Sequence, residues 1–552
     1  MEEPSWRLKA KFAALELLCV GVVFTPLAAA FASDLTHASL WLDEITYHYL
    51  EGDMALRAAE LGRSGSAIAP HLGIFFYCDV QRLLHTLVRP LGLTLYRDPE
   101  LYLRLSSIAS YVIAALALYA YLRRRLPRRI DALIGAAAFS STPIILHYAF
   151  EARVYGMTTM FVILLMIALD EASRKPSAAR LAVVVVLGLL AAHSHLWTLC
   201  LFGAMVLVAA VKVVRERRAT PWAIAAAAAS FPALALIGAQ VLYMRATDPG
   251  APLFPPFRRQ EGLFTLFQLG FSNFLGVQQT QFIVRTDMRL IVVAHVAVFA
   301  LLALALLSAR SRTRPEDGIR ASDWTTVAVL SLFFCWLMAV GYGYYTHARY
   351  HVPLMGAFFF AVALGPSRPK RVVYALIIAC NLGLLPPTLV AIRDKGNVKE
   401  VAELILERAN RDVSVVCQHV VSGGFPLPLQ AVGLDFYLNV LHPDKPPIRI
   451  YEKPGLVMTN GRRGVYDLFA GGSPVLGPYL QSMPEHWRSK RDMIGPHFFS
   501  LEQVWNIPEG NRQNQEFAQV MLERGDREVA GKYYVPGFPR SLLVEVRRKA
   551  GP

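Results

Sequence analysis

Apolar stretches close to the thickness of a bilayer core recur along most of this chain with almost no charge inside them, and that repetition constrains the fold more than any other feature. Inside lipid no water can satisfy a backbone N–H or C=O, so each such stretch has to close its hydrogen bonds internally as a helix. Composition agrees: only 18% of the 552 residues are charged and the mean hydropathy is +0.37, whereas soluble domains run nearer one quarter charged. A string of three or four soluble domains, the reading that length alone suggests, is excluded. The expectation is a mainly α, polytopic membrane bundle.

The formal net charge of +15 raises the question of a nucleic-acid partner. The basic residues, however, lie in short clusters between apolar spans: Arg123–Arg129, Arg174–Arg180, Lys212–Arg218, Arg310–Arg320 and Arg368–Arg371. Membrane orientation requires that pattern, and no nucleic acid is expected. The six cysteines form no CxxC or Cys/His metal pattern. Cys78 and Cys417 share the predicted outer side and are the one pair a disulfide would join there.

The first apolar run, Phe12–Ala32, follows Arg7, Lys9 and Lys11, which places the N-terminus in the cytosol. Its end, Ala30-Phe31-Ala32-Ser33, imitates a signal-peptidase site, but the run is long enough to span and is read as retained. If every basic cluster is cytosolic, each interval between clusters holds an even number of passes. Residues 130–169 then form two helices turning at Phe150-Glu151-Ala152-Arg153, and residues 181–211 form two with a tight turn near His193-Ser194-His195. Residues 221–307 hold two spans and a long loop. Residues 324–365 turn near Tyr345–Tyr350, and Val372–Ile392 crosses alone. The sum is about eleven transmembrane helices with the C-terminus outside.

This parity divides the chain into a membrane domain, residues 1–392, and an outer soluble α/β domain, residues 393–552. In the latter Val398–Ala409 has helical spacing, while Val413–Cys417, Ile448–Tyr451 and Ser541–Val546 are β-rich. Large outer loops run over about 33–100 and 245–289. Within them His71–Leu91 and Leu263–Leu275 are expected to be interfacial helices, the second for its stripe of Phe264, Phe267, Phe271 and Phe274.

Ionisable groups near a bilayer are costly and usually mark a site. Four constellations fall on the outer side. Trp41-Leu42-Asp43-Glu44 offers paired carboxylates for a general base and a hydrogen-bond or metal partner, or is a solvated acidic loop. Glu151-Ala152-Arg153-Val154-Tyr155 offers a guanidinium for an anionic headgroup, or a Glu and Arg that neutralise each other. His193-Ser194-His195 is a ligand pair or a hydrogen-bonded turn. His347-Ala348-Arg349-Tyr350-His351 presents a phosphate-matched Arg, or one that reaches to lipid phosphate.

Taken together these segments resemble the C-type (GT-C) glycosyltransferases, in the bacterial protein-mannosyltransferase-like and aminoarabinose-transferase-like group. Asp43-Glu44 is similar to that superfamily's acidic pair, Glu151-Ala-Arg153-Val-Tyr155 to its "EARxY" hairpin, and Arg349-Tyr350 with Pro353 to its late "RY…P" hairpin. His71-Leu72-Gly73-Ile74-Phe75-Phe76-Tyr77 resembles its loop helix, although prolines are usual where His71-Leu72 stands. The match covers about residues 10–390 and leaves the tail unmatched.

The resemblance implies an integral-membrane glycosyltransferase taking a sugar from a polyprenyl-phosphate donor on the non-cytosolic face, with inversion. It makes Asp43 the base that deprotonates the acceptor hydroxyl. Glu44 would assist it or help hold a divalent cation (Mg or Mn), and Glu151 would be a supporting or metal carboxylate. Arg153, Arg349 and Tyr350 would take the donor phosphate, with Tyr155, His71 and His195 near the acceptor or supporting these groups. The acceptor would be a glycan, a lipid or a protein, and membrane lipid the surrounding partner. Abundant Ala and the excess of Arg over Lys suit a GC-rich bacterial genome, hence a bacterial inner membrane with a periplasmic site. The competing functions are a transporter or flippase of lipid-linked or anionic solutes, and a scaffold acting through its tail. Charges at hairpin tips rather than at the midplane, and the lack of a repeat between halves, favour the enzyme.

Overall fold

The computed structural model describes residues 6–35, 38, 44, 68–247, 321–341, 352–363, 367–393, 397–409, 413–418, 433–452, 455–458, 497–504, 522–535 and 540–549. The chain forms two compact units: Met1–Thr36, Ala58–Thr86 and Arg104–Leu389 make the first, and His37–Arg57, Leu87–Leu103 and Val390–Pro552 the second.

The helices are α1 (Trp6–Ala32), α2 (Ile68–Val88), α3 (Pro99–Arg125), α4 (Arg129–Ser140), α5 (Pro143–Ala149), α6 (Val154–Arg174), α7 (Ala178–Ser194), α8 (Leu199–Glu216), α9 (Pro221–Thr247), α10 (Ala321–Gly341), α11 (Val352–Ala363), α12 (Ser367–Arg393) and α13 (Val398–Arg408). Among the described residues five helices are long and apolar enough to cross a membrane: Ala13–Ala32, Pro99–Arg125, Val154–Arg174, Leu196–Glu216 and Pro221–Leu242. The bent pair α4–α5 is long and apolar enough only when its two halves are taken together. Leu17, Val214 and Leu242 on these helices are more than two-thirds exposed, as lipid-facing side chains would be. The protein is a multi-pass membrane protein.

Of the eleven expected spans, the second pass of 221–307 and the turn at 345–350 lie outside the described residues, as does Leu263–Leu275. The turns at 150–153 and 193–195 fall where charge alternation places them. Helix α2 covers most of His71–Leu91, and it is not among the helices that pass as spans. The pass expected to begin at Ile130 is not one straight helix. It breaks between α4 and α5 and bends by 64°. Pro143 has no N–H to donate and drives the preceding Thr142 into an extended backbone (φ −65°, ψ 117°). The groups opened by the break are re-satisfied: Tyr111 donates its hydroxyl to the Ser140 carbonyl at 2.8 Å, Thr142 to the Ala138 carbonyl at 2.7 Å, and Asn381 from α12 to the Ser141 hydroxyl at 3.3 Å.

Helices α7 and α9 approach closely because Gly188 has no side chain. A Cβ there would lie 3.0 Å from the Ala229 carbonyl oxygen. Small residues of this kind are how membrane helices gain packing contacts.

At the ends that carry the basic clusters, buried or half-buried acids tie neighbouring helices together. Glu16 of α1 accepts from Tyr119 and Arg123 of α3 and pairs with Arg129 of α4, at 2.5, 2.9 and 2.9 Å. Asp131 of α4 takes both Nε and Nη2 of Arg371 of α12, at 2.5 and 3.2 Å. Asp170 of α6 is reached by Arg125 of α3 at 3.3 Å, by its own helix's Arg174 at 2.7 Å and by the Tyr121 hydroxyl. Asp323 of α10 holds Lys212 of α8 at 2.6 Å. The basic clusters thus set the charge asymmetry of the chain and also supply interhelix ion pairs.

The second unit carries a six-stranded mixed sheet ordered β3-β2-β1-β4-β6-β5. The strands are β1 (Ser414–Gln418), β2 (Arg449–Glu452), β3 (Gly455–Met458), β4 (Phe498–Val504), β5 (Arg527–Val535) and β6 (Arg540–Arg548). β1 runs parallel to β2 and β4, and the other pairings are antiparallel. One face packs Val416, Phe498, Val544 and Val546 into a core. The other buries Glu545, which accepts from His497 at 3.1 Å, Tyr533 at 2.9 Å and Arg547. Tyr533 lies back over Gly531, where a Cβ would collide with its hydroxyl. Burial pushes the Glu545 carboxyl up, but the donors Tyr533, Arg547 and His497 together outweigh it and hold it below the ordinary glutamate range. The same bond, with burial added, pushes the Tyr533 hydroxyl up. Cys78 and Cys417, the pair considered for a disulfide, are both buried free thiols.

Candidate active site

The turn between α5 and α6 collects the charged side chains. Phe150 ends α5 and Arg153, extended at φ −143° and ψ 158°, precedes the first turn of α6. The Arg153 N–H donates to the Glu151 carbonyl at 2.7 Å, which folds the backbone tightly and sends both side chains inward. One Glu151 carboxylate oxygen lies 2.8 Å from Arg153 Nε and the other 3.1 Å from His147 Nε2, one helical turn earlier. Glu151, Arg153 and His147 are only 3%, 4% and 7% exposed. A charge this deep is tolerated only when paired and hydrogen-bonded, and this carboxylate is gripped from two sides.

Rings pack around the group. The Arg153 guanidinium carbon lies 5.9 Å from the centroid of the Tyr155 ring. Tyr155 packs on Tyr148 at 4.9 Å and on His195 at 5.2 Å between centroids, and Tyr148 packs on His147 at 5.1 Å. His195 caps the 3-10 turn Leu196–Thr198, its Nδ1 accepting from Trp197 N at 3.2 Å. Beneath the turn, the Ser107 hydroxyl of α3 meets the Arg153 backbone and the Tyr77 hydroxyl of α2.

The structure therefore brings together Glu151, Arg153, Tyr155 and His195 of the residues expected from the sequence. Glu44 is 1% exposed in the second unit, so it is not part of a solvated loop. Asp43, Arg349 and Tyr350 lie outside the described residues. His71 falls in the first turns of α2, with its side chain outside the described residues. His147 and Ser107 were not singled out, and Tyr77 entered only as the end of the segment His71–Tyr77. His147 sits in what reads as an apolar span, and its signal was its position four residues before Glu151 and just beyond Ser-Thr-Pro, where a helix restarts. Among the described residues no three His, Cys, Asp or Glu side chains are placed to hold a metal ion. The surroundings of Glu151 are those of an ion pair, one oxygen facing the Arg153 guanidinium and the other a ring nitrogen of His147.

No family model and no curated protein matches the sequence. Solved structures do match. The crystal structure of ArnT from Cupriavidus metallidurans in the apo state superposes with a TM-score of 0.50 at 13% identity, over 97% of this chain and 98% of that one. This chain has the fold of ArnT. ArnT from the same organism bound to undecaprenyl phosphate gives 0.46 at 13% identity, over 96% and 98%. The likeness to apo ArnT extends through the tail, which the sequence resemblance left unmatched.

Proposed function

We propose that this protein is a membrane glycosyltransferase that moves a sugar from a polyprenyl-phosphate donor to an acceptor hydroxyl at the non-cytosolic face. The observation that carries the reading is the buried Glu151–Arg153–His147 group at a helix break, in a bundle with the ArnT fold. ArnT is an aminoarabinose transferase of the GT-C family and has been crystallised with undecaprenyl phosphate. In this chain a guanidinium held in a low-dielectric setting and steadied by its own carboxylate suits an anionic headgroup at the membrane surface.

In the proposed reaction the acceptor oxygen attacks the anomeric carbon, the bond from that carbon to the phosphate oxygen breaks, and configuration inverts. The acceptor proton passes to the Asp43 carboxylate, and the polyprenyl phosphate leaves with the bonding electrons. The transition state is oxocarbenium-like, with negative charge growing on the phosphate, where Arg153 and Arg349 would act. Glu44 would support Asp43. The site would face the periplasm of a bacterial inner membrane. The test is Asp43→Asn in purified, lipid-reconstituted protein, with release of lipid-linked sugar as readout. Transfer is expected to disappear while insertion is unchanged; near wild-type turnover would remove Asp43 as the base. Solute movement across sealed vesicles without sugar release would point to a transporter instead.

A further inference from the structure

Three elements of the first unit meet at one buried oxygen, Ser107 Oγ of α3. Arg153 donates its N–H to it at 3.4 Å and accepts from it through its carbonyl at 3.2 Å. The Tyr77 hydroxyl of α2 lies 2.9 Å away. A serine hydroxyl has one proton and two lone pairs. Donation to the Arg153 carbonyl uses the proton, and the Arg153 N–H and the Tyr77 O–H fill the lone pairs. The set closes with nothing left over, and Tyr77 and Ser107 are fully buried.

The consequence falls on the backbone of residue 153. Arg153 opens α6 without a side-chain cap of its own, yet its C=O is held by this hydroxyl, and its N–H, which donates to the Glu151 carbonyl at 2.7 Å, is shared with the same oxygen at 3.4 Å. That pins the peptides on either side of its Cα, and with them the direction in which the guanidinium leaves the chain. Because Tyr77 belongs to α2, the helix that carries His71, the orientation of that helix is tied to the arginine. We infer that Ser107 is the positioning residue for the Arg153 guanidinium and that Tyr77 couples α2 to it. Ser107 does not touch the ligand; it sets where the charge points. The inference rests on the functional reading that Arg153 receives a lipid phosphate.

The experiment measures binding of undecaprenyl phosphate to the full-length protein in detergent, for the wild type, Ser107→Ala, Tyr77→Phe, Arg153→Gln and the double variants with Arg153→Gln. Loss of an aligned hydrogen-bonded clamp should weaken Ser107→Ala about tenfold, and Tyr77→Phe, which keeps the ring and is the milder change, about threefold. In the Arg153→Gln background neither should weaken binding further, because no guanidinium remains to be aimed. Equal weakening in both backgrounds would mean that Ser107 only holds the helices together and would overturn the inference. No weakening in either background would overturn it too, with a loss in Arg153→Gln alone leaving the functional reading intact. A wild type that does not bind the lipid, or an Arg153→Gln protein that binds as well as the wild type, would overturn the functional reading itself.

Discussion

Replacing Glu151 by Gln keeps the shape of the side chain and removes only its charge, so it isolates what that charge does. The carboxylate is 3% exposed, 2.8 Å from Arg153 and 3.1 Å from His147. Breaking a buried ion pair on one side typically costs about 3–5 kcal/mol. The amide oxygen still accepts one hydrogen bond, so the loss should fall near the lower end, about 3 kcal/mol. Ligand binding should move the other way. A phosphate on the outer nitrogens of the guanidinium would sit about 6 Å from the carboxylate, which at an effective dielectric constant of about 20 is a repulsion of roughly 3 kcal/mol. Removing it should tighten undecaprenyl phosphate binding by about a hundredfold. Thermal unfolding in detergent reads the first effect and lipid titration the second. Unchanged thermal stability would mean that the pair contributes nothing to the fold. Equal or weaker lipid binding would mean that phosphate does not land on Arg153.

Two further outcomes follow from packing and titration. Gly188→Val places a branched side chain against the Ala229 backbone, where even a Cβ lies at 3.0 Å; overpacking of this kind should cost about 1–3 kcal/mol, read as a lower unfolding temperature with Gly188→Ala in between. Glu545 releases its proton at lower pH in the folded protein than in the unfolded chain, so its contribution is complete above the ordinary glutamate value of 4.5 and is lost as pH falls through the folded value. Glu545→Gln should therefore narrow the stability difference between neutral and acidic pH, and an unchanged pH profile would refute the role given to the His497, Tyr533 and Arg547 contacts.

The membrane class was legible because it follows from the absence of charge over bilayer-length runs, and the turns at 150–153 and 193–195 because charge alternation forces parity. The tail's strands were legible too: Val413–Cys417, Ile448–Tyr451 and Ser541–Val546 fall on β1, β2 and β6. The break after Ser140 was not, since Ser-Ser-Thr-Pro reads equally well as a tolerated kink within one span. Its bend is supported by donors contributed by Tyr111 and Asn381, which no local pattern reveals. The site was half legible. Glu151 and Arg153 were visible as charges out of place, but Ser107 is an ordinary small polar residue in a helix, and only the packing of α2 and α3 against the turn makes it a clamp.

The ion pairs at the basic helix ends also impose an order on biogenesis. Glu16 belongs to α1, but its partners Tyr119 and Arg123 follow 103 and 107 residues later. Asp131 waits 240 residues for Arg371. A nascent chain halted between those points carries acidic groups near lipid with no counter-ion in place, a condition that membrane quality control can recognise. Chains truncated before residue 371 should accordingly be short-lived in the cell, even though every helix up to that point is intact.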